Sequence, residues 1–200
     1  MTGRPQSRSI VVATRNPHKL EELGEILRDY ELLPLPADVE LPPEDGETFI
    51  ENALGKARAA HLSTGAAVIA DDSGISARAL AGRPGVRSAR YAGPEASDAE
   101  NLELLLDELR GAGDRSVAYV CAIVHVDERG KETIREARCE GRLATEPRGD
   151  GGFGYDPAFL PDEIADGRTM AELSSAEKHA ISHRGRAARA LVAALGGAAR

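Results

Sequence analysis

Two adjacent carboxylates behind an apolar run are the strongest chemical signal in this 200-residue chain. Ala67-Val68-Ile69-Ala70 reads as a buried strand, and Asp71-Asp72-Ser73-Gly74 follows it at once. Open α/β sheets bind ligands beyond the carboxyl ends of their strands. A hard cation such as Mg2+ takes carboxylate oxygens and keeps several waters; it can bridge phosphate oxygens and activate water. Side chains alternate along a strand, so one aspartate is expected to face a ligand and the other to brace the first or a neighbour. By itself the tetrapeptide fits an ordinary turn with exposed acids equally well.

Four further segments carry groups that could meet a polyanion. In Thr14-Arg15-Asn16-Pro17-His18-Lys19, Thr14 and Asn16 can donate to phosphate oxygens and Lys19 adds a point charge. The same residues also read as a helix cap with proline in the first turn. On a helix over 48–63, Lys56 projects within about 20° of Phe49, at the edge of the stripe Phe49, Ala53, Ala57, Ala60 and close to Asn52. It is either aimed over the sheet edge or snorkels to water. The run Gly149-Asp150-Gly151-Gly152-Phe153-Gly154-Tyr155-Asp156-Pro157 lets backbone approach a ligand closely. Phe153 offers a face to a nucleobase, and Asp156 offers acceptors to a sugar or to base N–H groups. In Lys178-His179-Ala180-Ile181-Ser182-His183-Arg184-Gly185, Arg184 falls in line with Ala180, Ala187, Ala188 and Leu191. A cation on an apolar stripe needs a partner, although a solvated basic face is the competing reading, and His183 could equally be a satisfied core histidine.

The elements that must position these residues are legible from periodicity. Ser9–Thr14 reads as a short strand, Lys19–Tyr30 as a helix, and Leu32–Leu35 as a second strand. The proline-rich, acidic stretch 36–47 is a loop. Thr48–Ser63 is a helix opened by the capping box Thr48/Glu51 and closed by Thr64-Gly65. Gly82–Pro94 is expected to be a long loop, and Ser97–Leu109 a leucine-rich helix. Ser116–Val126 and Glu132–Leu143 form a hairpin around Asp127-Glu128-Arg129-Gly130. About Ser174–Leu195 reads as one alanine-rich helix. Mixed helices and strands with an antiparallel hairpin predict an α/β or α+β domain on a mixed sheet, a single domain over 1–200 with 1–8 as a disordered tail.

Composition excludes several classes. A formal net charge of −8 argues against binding nucleic acid polymers through the overall field. With no Trp and 4% aromatic residues, stacking platforms for single strands are not expected. Cys121 and Cys139 have neither CxxC nor zinc spacing and read as reduced, packed thiols. Met1–Arg8 is polar, with only Ile10–Ala13 apolar behind it, which does not fit a signal peptide. No run approaches the ~20 apolar residues of a membrane span, so no membrane partner is expected and the cytoplasm is the expected location.

In order along the chain, the motifs resemble the noncanonical purine NTP pyrophosphatases, the inosine/xanthosine triphosphate pyrophosphatase family. They are Thr14-x-Asn16-x-x-Lys19; Thr48-Phe49-Ile50-Glu51-Asn52-Ala53 with Lys56-Ala57; Asp71-Asp72-Ser73-Gly74; Pro84-Gly85 with Ser88-Ala89-Arg90-Tyr91; Gly152-Phe153-Gly154-Tyr155-Asp156-Pro157; and Ser182-His183-Arg184-Gly185. The resemblance implies an elongated α/β fold, a long mixed sheet flanked by helices, two lobes with a cleft between them, and a homodimer. It implies hydrolysis of ITP, dITP and XTP to monophosphate and pyrophosphate by water attack at the α-phosphorus, which would clean the nucleotide pool. Asp72 matches the catalytic, metal-linked acid, and Glu44 a second Mg2+-associated acid, with Asp45 as the alternative. Thr14, Arg15, Asn16, Pro17, His18, Lys19, Lys56 and Ser73 match phosphate-side positions. Phe153, Gly154, Tyr155, Asp156, Lys178, His183 and Arg184 match the nucleotide and base site. Arg15 departs from the glycine common there in the family, and the acidic loop Glu44-Asp45-Gly46-Glu47 is richer in acids. A carboxylate beside cations keeps a low pKa, so Asp72 is expected to be ionised at pH 7. Two rivals fit less well. Aspartate-nucleophile phosphatases space their acids one residue apart, and the related pyrimidine-directed fold is not expected to carry Ser182-His183-Arg184-Gly185. A non-catalytic binding module on this scaffold would not need Asp72, Lys56 and Lys19 intact.

Overall fold

In the computed structural model, which describes residues 9–196, one apolar-cored sheet organises the chain; the tail expected over 1–8 lies outside the described residues. The sheet has six strands in the order β2-β1-β3-β4-β5-β6. These are β1 (Ser9–Val12), β2 (Glu31–Pro34), β3 (Val68–Ala77), β4 (Ser116–Val126), β5 (Glu132–Leu143) and β6 (Phe159–Pro161). β1 runs parallel to β2 and β3, while the β3–β4, β4–β5 and β5–β6 pairs are antiparallel. The mixed α/β architecture is as expected. β4 sits at the centre and is buried from Val117 to Val126, which is why it is written almost wholly in apolar residues.

Among the described residues five α-helices flank the sheet: α1 (Pro17–Ile26), α2 (Phe49–Thr64), α3 (Asp98–Glu108), α4 (Ser175–Ile181) and α5 (His183–Ala194). Helix α2 begins where its capping box dictates, with Thr48 accepting from the Glu51 N–H, and ends on Gly65 at φ +66°. Three apolar clusters result. One joins α2 to β1, β3 and β4 through Phe49, Ala53, Ala57, Val68 and Ala70. A second, on the opposite face, joins α1 and α5 through Leu23, Ile69, Ala187 and Leu191. The third joins α3 to the far halves of β3, β4 and β5 through Ile75, Leu105, Val117 and Phe159. Residues 71–74 contribute to none of these clusters and lie on β3 where the three meet.

Three expectations are corrected. The acidic step is not a turn beyond a strand end: β3 continues through it, with Asp71 opposite Ile123 and Asp72 opposite Ala122 on β4. Gly74 permits this, because a Cβ there would lie 2.3 Å from Ser88 Oγ and 2.6 Å from the Gly85 carbonyl. The loop 82–94 contains a 3-10 turn over Gly85–Arg90, from which the Ser88 hydroxyl accepts the Ile75 N–H at 2.8 Å. The C-terminal helix is two helices. Ser182 is extended (ψ 151°), ends α4 and caps α5 by accepting the Gly185 N–H. A Cβ on Gly185 would meet the His179 carbonyl oxygen at 2.1 Å. Gly185→Ala should therefore cost about 1–3 kcal/mol through overpacking, read as a lower thermal midpoint; an unchanged midpoint would refute the tight junction.

Candidate active site

The acids of β3 divide by strand alternation. Asp72 points into a cavity also lined by Thr14, Lys19, Glu44, Lys56, Ser73, Phe153 and Arg184. Its Oδ1 accepts the Ser73 N–H at 2.9 Å and its Oδ2 accepts Asn52 Nδ2 at 2.9 Å. Asp71 turns the other way and is fully buried. Its Oδ2 accepts Arg184 Nε at 3.1 Å and lies 3.3 Å from Lys19 Nζ.

Environment separates the two further. Burial pushes the Asp72 carboxyl above the usual aspartate range, and Lys56 and Lys19 only partly offset it, so the low pKa expected from nearby cations is not what the site provides. Burial acts on Asp71 in the same sense, but Lys19, Arg184 and Lys56 outweigh it and hold its carboxyl well below the usual range. Asp71 is thus a buried anion that anchors cations, and Asp72 is the carboxylate that faces the cavity.

Lys56 comes from α2, at the stripe edge the helical projection indicates, and does not reach solvent. Its Nζ donates to the Asp71 carbonyl at 2.7 Å and to the Glu44 carboxylate. Glu44 is held there by its own carbonyl, which accepts Arg90 Nη2 at 2.5 Å. Glu44 lines the cavity and Asp45 does not, which favours Glu44 for any metal-side role.

Only part of the first-helix loop faces the cavity. Thr14, Asn16 and Lys19 line the cavity, whereas Pro17 and His18 do not. Asn16 caps α1 by accepting the N–H groups of His18 and Lys19. Arg15 reaches the cavity wall, but its guanidinium donates to the carbonyls of Leu35, Pro36, Ala37 and Val39. The residue that departs from the family pattern therefore pins the following loop rather than presenting charge to a ligand.

At the other end of the cavity lie Phe153, Gly154, Tyr155, Asp156, Lys178, His183 and Arg184. Asp156 already accepts three hydrogen bonds from within the protein. Its Oδ1 takes the Tyr119 hydroxyl at 3.0 Å, and its Oδ2 takes the Phe153 N–H at 3.0 Å and Lys178 Nζ at 2.7 Å. Only glycine fits at 152, since a Cβ there would sit 2.1 Å from Asp156 Oδ2. Tyr155 donates its hydroxyl to the Ser88 carbonyl at 2.7 Å, tying the loop to the 3-10 turn. His183 stacks on Tyr119 with ring centroids 4.6 Å apart, and burial, helped by Arg184 and Lys178, keeps it neutral by driving its pKa well down. Arg184 is buried and donates to Asp71, to Glu22 and, at 2.8 Å, to Ser73 Oγ. This is the partner that a cation on an apolar stripe demanded.

Glu22 is the main residue that sequence reasoning missed. It salt-bridges Lys178 at 2.6 Å and also Arg184, so one carboxylate joins α1 to α4 and α5. Its position three residues after Lys19 on one helix face was the available signal. Tyr119 was missed as well, because one hydroxyl inside an apolar strand announces no partner. The cations Lys19, Lys56, Lys178 and Arg184 are matched within the protein by Asp71, Glu44, Asp156 and Glu22, with Asp72 in addition. The named charges of the site thus sum to a slight negative excess.

Residues 10–194 match the Ham1 family. The dITP/XTP pyrophosphatase of Mycolicibacterium paratuberculosis is 50% identical over 195 residues, spanning 93% of this chain and 95% of its own. That of Cutibacterium acnes is 46% identical over 194 residues, spanning 93% and 95%. Among solved structures, a HAM1 protein from Coxiella burnetii superposes with a TM-score of 0.83 at 44% identity, covering 94% of this chain and 98% of that one. The nucleoside-triphosphatase / dITP/XTP pyrophosphatase of Mycobacterium abscessus superposes with a TM-score of 0.74 at 45% identity, covering 94% and 98%.

Proposed function

The chain belongs to the Ham1 family, and from that premise we infer that it hydrolyses noncanonical purine nucleoside triphosphates (dITP, ITP and XTP) to the monophosphate and pyrophosphate. The observation that carries the reading is the placement of Asp72 in one cavity with Lys19 and Lys56 on one side and Phe153, Lys178 and Arg184 on the other. That arrangement matches a triphosphate at the acidic step and a base at the glycine-rich loop.

In this mechanism Asp72 accepts the proton of the water that attacks the α-phosphorus. A carboxylate that faces the cavity beside the attacking water is placed to act as its general base. Lys19 and Lys56 face the phosphate oxygens, where fixed positive charge stabilises the transition state. Their charges are already matched by carboxylates, so binding a triphosphate calls for additional positive charge. The donor set suits Mg2+: Asp72 and Glu44 present hard carboxylate oxygens to the cavity. A cation that takes one or two carboxylates and keeps its waters fits such a site. Held by Asp72 and Glu44, Mg2+ would offset phosphate charge and would lower the pKa of a water bound to it.

Base choice follows from which hydrogen-bonding groups are left over. Asp156 already accepts three internal hydrogen bonds, and the donors at this end are mainly the N–H groups of Lys178 and Arg184. Each keeps donors beyond those spent on Glu22, Asp71, Asp156 and Ser73. A keto oxygen at purine C6 accepts from such groups, whereas an amino group leaves donors facing donors. The test is pyrophosphate release from ITP, dITP, XTP, ATP, GTP and dUTP, with Mg2+ and with a chelator. ITP, dITP and XTP should exceed ATP by about 100-fold or more, and the chelator should abolish turnover. Equal rates on ATP and ITP would sink the base selectivity, and full activity without divalent cation would sink the Mg2+ assignment. The reading includes a homodimer working on the cytoplasmic nucleotide pool, and sedimentation at assay concentration tests the dimer. No described helix is long and apolar enough to cross a membrane.

A further inference from the structure

The family pattern groups His18 with the phosphate-side residues, yet its geometry is of another kind. Its backbone N–H is spent on Asn16 Oδ1 at 2.9 Å, so it cannot donate to a phosphate while that cap holds. Its side chain does not line the main cavity. Instead the imidazole stacks on Phe153, with ring centroids 5.2 Å apart and planes 14° from parallel. His18 then borders a smaller neighbouring cavity shared with Glu22, Phe153, Lys178 and His179. Phe153 borders both cavities.

Phe153 needs such a neighbour. It sits between Gly152 at φ +70° and Gly154 at φ +62°, in a loop whose backbone is intrinsically permissive. Its own N–H is anchored on Asp156, which fixes the backbone, and over the ring itself Lys178 Nζ lies 5.0 Å and the Arg184 guanidinium carbon 5.7 Å from the centroid; to these two flexible cationic chains His18 adds a flat ring in near-parallel stacking. Helix α1 presents that ring from a rigid turn: its first turn is held by the Asn16 cap and Pro17, and Leu23 on the same helix is wholly buried. Lys19, the next residue, is fixed by Asp71 on the phosphate side.

The geometry points to His18 as a positioning residue for the nucleobase, acting through Phe153 and not through the phosphates. It holds the Phe153 ring as a fixed platform, so one turn of α1 registers both ends of the nucleotide: Lys19 the triphosphate, His18 the base. This rests on the nucleotide reading above. His18 is exposed and alanine is a good helix former, so His18→Ala is compatible with the fold.

The experiment compares the parent, His18→Ala and His18→Phe by steady-state kinetics with dITP and by inhibition with inorganic tripolyphosphate, which carries the phosphates without a base. His18→Ala should raise KM for dITP about two- to tenfold, the range an aromatic pair contributes, with kcat little changed. The tripolyphosphate inhibition constant should stay at the parent value, and His18→Phe should bring KM back towards it. A tripolyphosphate constant that weakens in step with KM returns His18 to the phosphate side and overturns the inference. An unchanged KM in His18→Ala, or no recovery in His18→Phe, also overturns it. A parent protein that releases no pyrophosphate from dITP overturns the nucleotide reading and this inference with it, whereas an active parent with the wrong variant pattern overturns this inference alone.

Discussion

Asp72→Asn is expected to lower kcat for dITP by about 100- to 10,000-fold while moving the thermal midpoint by no more than a few degrees. The substitution keeps the shape of the side chain and one oxygen acceptor. It removes the only feature the proposed step requires, a carboxylate that can take a proton. The structural cost is one lost acceptor, because both Asp72 oxygens are occupied, by the Ser73 N–H and by Asn52 Nδ2. One such mismatch costs about 1–3 kcal/mol. Against it stands a gain, since burial disfavours the ionised form of this carboxyl and the amide carries no such penalty. Pyrophosphate release and calorimetry on the same preparation decide the matter. A variant that turns over dITP at the parent rate would remove Asp72 from the chemistry.

Arg184→Ala should act on stability at least as strongly as on catalysis. Arg184 is the largest of the fully buried side chains, and its guanidinium joins Asp71 on β3, Glu22 on α1 and Ser73 on β3. Removing it leaves Asp71 buried with one cation fewer, and Asp71 Oδ1 already has no hydrogen-bond partner. Breaking a buried charge pair costs about 3–5 kcal/mol, which for a chain of this size lowers the midpoint by about 6–20 °C. Arg184→Lys separates the two roles. It keeps a positive charge near Asp71 but loses the planar fork that reaches three partners at once, so the midpoint should partly recover while KM for dITP stays high. An Arg184→Ala protein that melts like the parent would show that the network carries no stability.

Much of the frame was legible because it is written locally. The capping box of α2, the Gly65 stop, the apolar run of β4 and the turn residues before β5 are read within a few positions of where they act. Misreadings occurred where a distant contact overrules local preference. The charged Asp71-Asp72 pair looks like the end of a strand, but β4 pairs with it on one side and α1, α2 and α5 supply cations to its carboxylates or carbonyl. The alanine-rich C-terminal stretch looks continuous because nothing in its periodicity signals a break at Ser182. β6 is three residues long and carries no period of its own.

At the acidic step, residue types and strand alternation were enough to say that the two aspartates would differ, and the resemblance of six motifs in order nominated Asp72, with Lys19, Lys56, Phe153 and Arg184. Which cation meets which carboxylate is a different kind of fact. Asp71 and Arg184 stand 113 positions apart, and no local rule links them; they meet because β3 and α5 share one apolar cluster. Tertiary structure likewise decided that Asp72 is buried enough for its pKa to rise, that Asp156 meets three internal partners, and that His18 stacks on the Phe153 ring. Residue type and spacing are properties of the chain, whereas desolvation and charge pairing depend on what surrounds each group once the three clusters close.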